Sequence, residues 1–193
     1  IFDPGETNRT GADDMKFLDG DTVGSAVNGT VDPGLKEAPS KLELTDDWAA
    51  ADYLVDPQDA SKIRVFAAEA EPDRTDTVDG ATVKHYTQTS VADIANKGTD
   101  VTDMFDIKVE GTVATATAKP DYLKTLKGMR KGLQLTLLVP FTVNFADGKG
   151  AARVREDFGR KPGDEVTFCT SPDGKELTNK GSQTVNGQTE PTN

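Results

Sequence analysis

The chain has 193 residues, a formal net charge of −11 and 35% hydrophobic residues. That length suits one large β-sandwich able to bury a sizeable core, and the acidic balance argues against nucleic acid and anionic membrane as partners, because phosphate-rich surfaces would repel it. No stretch comes near the roughly 18 consecutive apolar residues of a membrane span and no basic-then-apolar leader opens the chain, so no membrane insertion is expected and the sequence reads as a mature domain or excised segment.

In chain order, the first strand-like run is Met15-Lys16-Phe17-Leu18, where Met15 and Phe17 share one face and Lys16 takes the other. Asp19-Gly20-Asp21 leads into Thr22-Val23 and Ala26-Val27, and Val31 closes that strand before the turn residues Asp32-Pro33-Gly34. Leu42 and Leu44 alternate with Glu43 and Thr45 up to Asp46-Asp47-Trp48, and Ile63, Val65 and Ala67 repeat the period. The stretch from Ala68 to Ala81, rich in Glu, Asp, Thr and Pro, reads as a solvated loop or a hairpin excursion. Two short helices are predicted, over Val91 to Lys97 and over Asp121 to Lys127 behind Pro120. Between them, Phe105, Ile107 and Val109 alternate, and Gly111 separates them from the Thr/Val/Ala alternation of Thr112 to Thr117, which is hairpin spacing.

The longest apolar run places Leu135, Leu137, Val139, Phe141, Val143 and Phe145 on one parity. A strand puts all six on a single face, whereas a helix would scatter them. Pro140 removes a ladder donor, so the strand is expected to bend, bulge or lie at an edge there. About ten short strands with dense punctuation and no internal repeat give an all-β fold, an elaborated immunoglobulin-like β-sandwich of antiparallel strands with one or two short helices. Residues 1–187 are expected to form that single domain, and 188–193 to start a linker to a following one.

Little in the sequence suits enzymatic catalysis. His85 is the sole histidine and lies in a strand-like run where a solvent-facing residue is expected, and Cys169 is the sole cysteine, so it makes no internal disulfide. No nucleophile elbow, metal-ligand spacing or phosphate loop appears. The many carboxylates leave a glycoside hydrolase as a remote alternative.

Several motifs, taken in order, carry a resemblance. Gly20-Asp21-Thr22-Val23, Leu42 to Trp48 with its paired Asp residues and aromatic, Ile63-Arg64-Val65-Phe66, the Leu135 to Val143 run with its proline, and Asn179-Lys180-Gly181-Ser182-Gln183 succeed one another. The series resembles the C2-type isopeptide-forming domains of antigen I/II-like adhesins of Gram-positive cell surfaces. The resemblance implies a structural and adhesive, non-enzymatic domain, secreted and anchored to the cell wall. Its partners would be a host or microbial surface protein or glycan and the neighbouring domains of its own polypeptide. The alternative is a carbohydrate- or protein-binding sandwich without a cross-link.

In the resembling family, a buried Lys attacks the Asn side chain of the last strand, and Asn179 is the matching residue. Burial makes a Lys amine a nucleophile and keeps a neighbouring carboxyl protonated, so that it can donate to the amide oxygen under attack. Asp46 is assigned that proton-shuttling role because it continues the parity of Leu42 and Leu44, with Asp47 turned outward. Alternatively both aspartates cap the turn at Trp48. The family's reactive Lys starts the first strand, which leaves two sources here: Lys16, or a lysine preceding Ile1. The resemblance also implies a candidate structural calcium, for which Asp13-Asp14, Asp19 with Asp21, and Asp100 with Asp103 supply oxygen ligands.

Overall fold

The computed structural model describes the backbone of residues 14–18, 20–49, 54–55, 60–144, 151–155, 166–170 and 176–192, and side chains over 20–49, 60–77, 79–80, 82, 84–91, 93–144 and 180–189. The early runs become β1 (Asp14–Leu18), β2 (Thr22–Val31) and β3 (Leu42–Asp47). A two-residue β4 (Leu54–Val55) precedes the long hairpin of β5 (Arg64–Val78) and β6 (Ala81–Thr87). Helix α1 (Val91–Lys97), the short β7 (Thr99–Asp100), and the hairpin of β8 (Phe105–Glu110) and β9 (Val113–Ala118) follow. Then come α2 (Pro120–Thr125) and the central β10 (Gly132–Val143). β11 (Ala151–Arg155), β12 (Val166–Thr170), β13 (Glu176–Val185) and β14 (Gln188–Thr192) complete the described elements.

These strands form two sheets. One has the order β1-β11-β12-β13-β3-β9-β8, with β14 also beside β13; the other runs β2-β10-β5-β6, with β4 beside β10 and β7 beside β5. All the described pairings are antiparallel. The protein is therefore an all-β, elaborated immunoglobulin-like sandwich with short helices.

Parity decides what fills the space between the sheets. Leu135, Leu137, Val139, Phe141 and Val143 of β10 are all buried, as their common parity requires, and Phe145 lies outside the described residues. Facing them are Leu42 and Leu44 of β3 and the small Ala114, Ala116 and Ala118 of β9. Trp48, just past β3, meets Phe141 edge-on with ring centroids 4.9 Å apart. The even residues of β10 face the other way, yet Gln134 and Thr136 are also buried. Gln134 accepts from Thr89 N at 2.7 Å and donates to Thr89 O at 3.0 Å, so the segment ahead of α1 covers that part of the sheet with its polar groups satisfied.

Three expectations need correction. At Pro140 the bulge is corrected, because β10 pairs with β2 in unbroken register from Leu133 to Thr142, whereas the edge alternative holds locally on the opposite flank. There β5 pairs only as far as Leu138 and β4 resumes at Thr142, so Pro140 falls in the gap between two neighbours, where a missing donor costs no ladder bond. Helix α2 starts at Pro120 rather than Asp121 and stops at Thr125, because the ring presets φ for the first helical position and the turn tightens through Leu126 N to Leu123 O at 3.2 Å. Within 188–193, Gln188–Thr192 is a strand hairpinned to β13 rather than the start of a linker.

The Ala68–Ala81 excursion is the far half of the β5–β6 hairpin, closed by Asp79 and Gly80, both at positive φ as a two-residue type I′ turn demands. Beyond Ala70 this ribbon has left β10 behind and only β5 and β6 pair with each other. Its base is tied down by Lys84 and Tyr86, which both reach Asp32, the former at 2.9 Å. His85 stands partly exposed in the ribbon, 2.9 Å from Asp76.

Tyr122 of α2 packs on Phe105, with centroids 5.3 Å apart, and burial pushes its pKa up from 10.0 to about 12. A group whose folded pKa is raised lends stability that is complete below its unfolded value and fades as pH climbs through the folded one. The domain should therefore lose stability between about pH 10 and pH 12, and Tyr122→Phe should lessen that loss. An ultraviolet phenolate titration in which all 3 tyrosines ionise together near pH 10 would contradict this.

Candidate functional site

The inward row of β3 runs Leu42, Leu44, Asp46, so the alternation that buries two leucines also carries a carboxylate into the core. Asp46 is 0% exposed, and both of its carboxylate oxygens are buried. Opposite it stand Gly181 of β13 on one side and Ala114 of β9 on the other. Cross-strand partners on one face lie about 5 Å apart at Cβ. The glycine and the alanine present little side chain of their own beside the carboxyl.

Asp47 takes the opposite parity and does the capping. Its Oδ1 accepts from Ala49 N at 2.9 Å and from Thr112 Oγ1 at 3.4 Å, and Trp48 N donates to Thr112 O at 3.0 Å. The two aspartates therefore divide the alternatives raised by the sequence: Asp47 caps the turn, and Asp46 enters the core.

Asn179 lies in β13 opposite Val166 of β12, two residues before Gly181 and in the same alternation as Gly181 and Gln183. Its backbone thus sits one strand over from Asp46, two positions along from the residue opposite it. The Asn179 side chain lies outside the described ones.

The register does not bring Lys16 to Asn179. Lys16 faces Arg153 of β11, Arg153 faces Thr170 of β12, and Thr170 faces Glu176 of β13. Three interstrand steps separate β1 from β13, about 14 Å, and the row meets β13 three residues short of Asn179, roughly 10 Å more along the strand. That exceeds the combined reach of a lysine and an asparagine side chain. Every lysine whose side chain is described is exposed or only half-buried, unlike the buried amine such chemistry needs.

Of the acidic residues named as candidate calcium ligands, Asp100 has another task. Asp100 Oδ1 accepts from Thr102 N at 2.9 Å and Thr102 Oγ1 at 2.5 Å, contacts that hold its carboxyl below the usual carboxylate range. Arg64 adds a weaker charge contact at 3.9 Å. Among the described residues, no three His, Cys, Asp or Glu side chains gather as a metal would require. The side chains of Asp13, Asp14 and Asp19 lie outside the described ones. A groove on the outer face of β3, β8 and β9 is lined by Glu43, Asp106, Lys108, Glu110, Thr115 and Thr117 with Val113, and no aromatic ring offers a sugar a stacking surface there.

One feature of the site escaped the pattern of the sequence. Gln183 is inward on β13 and only 8% exposed, and its Nε2 crosses between the sheets to donate to Thr30 O of β2 at 3.0 Å. The crossing depends on Gly29, where an added Cβ would fall 1.8 Å from Gln183 Oε1. A glycine in the middle of a strand is the signal that could have revealed this close approach.

No protein-family model matches the sequence, and no curated protein matches it. Among solved structures, it is similar to the C-terminal domain of the Streptococcus pyogenes antigen I/II-family protein AspA, at 14% identity and a TM-score of 0.54, over 92% of this chain and 39% of that one. It is also similar to the C-terminal domain of the Streptococcus agalactiae antigen I/II polypeptide BspA, at 14% identity and a TM-score of 0.52, over 92% of this chain and 42% of that one. At this identity the likeness is one of fold. The chain spans about two-fifths of the length of each of those solved chains.

Proposed function

We propose that the protein is a structural and adhesive domain of a Gram-positive cell-surface protein, of the C2 type that cross-links itself through an isopeptide bond. It would work outside the cell, on a wall-anchored protein, against neighbouring domains of its own polypeptide and a host or microbial surface protein or glycan. The observation that carries the reading is Asp46: a fully buried carboxyl flanked by Gly181 and Ala114, with Asn179 on the adjoining strand. The fold shared with antigen I/II C-terminal domains supports it. No membrane-crossing role is invoked, and no described helix is long and apolar enough to span a bilayer.

In this reading a neutral lysine amine attacks Asn179 Cγ while protonated Asp46 donates to the amide oxygen. The bond from Asn179 Cγ to its amide nitrogen then breaks, the proton is handed to the departing nitrogen, and ammonia leaves. The lysine lies outside the described residues, and one preceding Ile1 in a longer polypeptide is the source that the resemblance implies. Lys16 is a spectator.

Intact mass tests the proposal. A polypeptide extended upstream to include a lysine should weigh one ammonia less than its sequence and yield a joined peptide containing Asn179. Asp46→Ala and Asn179→Ala should each restore the full mass, whereas Lys16→Ala should not. An extended polypeptide of full mass would leave a sandwich domain without the cross-link.

A further inference from the structure

We infer that Asn186 is a latent self-modification site, kept as an amide by the hairpin that carries it. Asn186 and Gly187 form the two-residue loop between β13 and β14, with φ of 51° and 84°, the signature of a type I′ turn. Glycine after asparagine leaves the peptide nitrogen unscreened by a Cβ. Gly187 N can then attack Asn186 Cγ to close a five-membered succinimide. The bond from Asn186 Cγ to Nδ2 breaks, the proton of the attacking amide leaves with the departing ammonia, and water later opens the ring to aspartate or isoaspartate.

The fold opposes ring closure in two ways. In a type I′ turn, ψ at the first central residue is about +30°. This sets the Gly187 nitrogen nearly trans to the Asn186 Cβ, away from the carbon it must reach. In addition, Asn186 Oδ1 accepts from Ser40 N at 2.6 Å and Ser40 Oγ at 3.0 Å, and Asn186 N donates to Lys41 O at 3.0 Å. These contacts pin the turn to the start of β3, 146 residues away in sequence. Two donors on that oxygen would also favour the negative charge of a tetrahedral intermediate. That help is realised only once the backbone has swung, so the opening of the hairpin controls the rate.

The consequence bears on any mass measurement of this protein. A succinimide at Asn186 removes one ammonia, as a cross-link at Asn179 would, but it hydrolyses with time and maps to a different residue.

The test follows the Asn186 peptide by mass during warm, mildly alkaline incubation of the whole protein, folded and in urea. Conversion should be fast in urea and slow in the folded protein. Ser40→Ala, a change at an exposed position, should speed the folded reaction about 2- to 10-fold, the factor one hydrogen bond contributes, and leave the urea rate unchanged. Equal rates folded and in urea, an unaltered folded rate in Ser40→Ala, or an intact Asn186 in urea would each overturn the inference. None of these outcomes depends on the Asn179 cross-link.

Discussion

Replacing Phe141 with alanine is expected to destabilise the domain by about 3–5 kcal/mol, the range for emptying a large aromatic site in a core. Phe141 is buried on a strand paired along its length with β2, so the backbone has little freedom to collapse into the void. Its ring also forms the edge contact with Trp48, a pairing that contributes about 0.5–1.5 kcal/mol of the total. Against a net stability of roughly 5–15 kcal/mol this is a large fraction. The neighbouring Thr142, exposed on the other parity, is the control, and its alanine variant should stay within about 0.5 kcal/mol of the parent. Urea unfolding of the two variants checks both values. A loss below about 1 kcal/mol in Phe141→Ala would mean that the strand does not hold the core together.

That prediction was legible in the sequence because a two-residue period with one apolar parity admits few other structures. The same holds for Leu42, Leu44 and Asp46, where continuing the alternation carried the carboxylate inward. Segments polar on both faces were opaque. Glu71 to Val78 has no parity to read, and its strand exists because the Asp79-Gly80 turn fixes the register with β6. Gln188–Thr192 is equally polar, and the Asn186-Gly187 turn makes it a strand. The position of Lys16 was out of reach for another reason. Which strands become neighbours depends on connections across the whole fold, and alternation within Met15-Lys16-Phe17 carries no information about β11 and β12 lying between it and β13. Pro140 was legible in part: a missing donor predicts an unpaired flank, and β5 and β4 leave one open there, while the bulge it also allowed does not form.

Gly29 and Gln183 should fail together rather than separately. Alanine at 29 places its Cβ 1.8 Å from Gln183 Oε1, 2.5 Å from Cδ and 3.1 Å from a Leu44 methyl. The glutamine must withdraw, and Thr30 O loses the donor that reaches it from the other sheet. Leaving a shielded carbonyl without its partner costs about 1–3 kcal/mol. Gln183→Ala forfeits the same hydrogen bond and adds a void, so it should cost a similar amount. In Gly29→Ala/Gln183→Ala, however, the new methyl group enters space the glutamine has vacated, and the hydrogen bond is lost only once. The double variant should therefore be more stable than the sum of the singles by about 1–2 kcal/mol, a coupling of the size seen between residues in contact. Denaturant midpoints for the four proteins close the cycle. Additive losses would show that Gln183 reaches Thr30 without needing the missing Cβ of Gly29. Strong coupling would show that β13, the strand carrying Asn179, is fastened to the opposite sheet by a glutamine passing through a gap that only glycine leaves open.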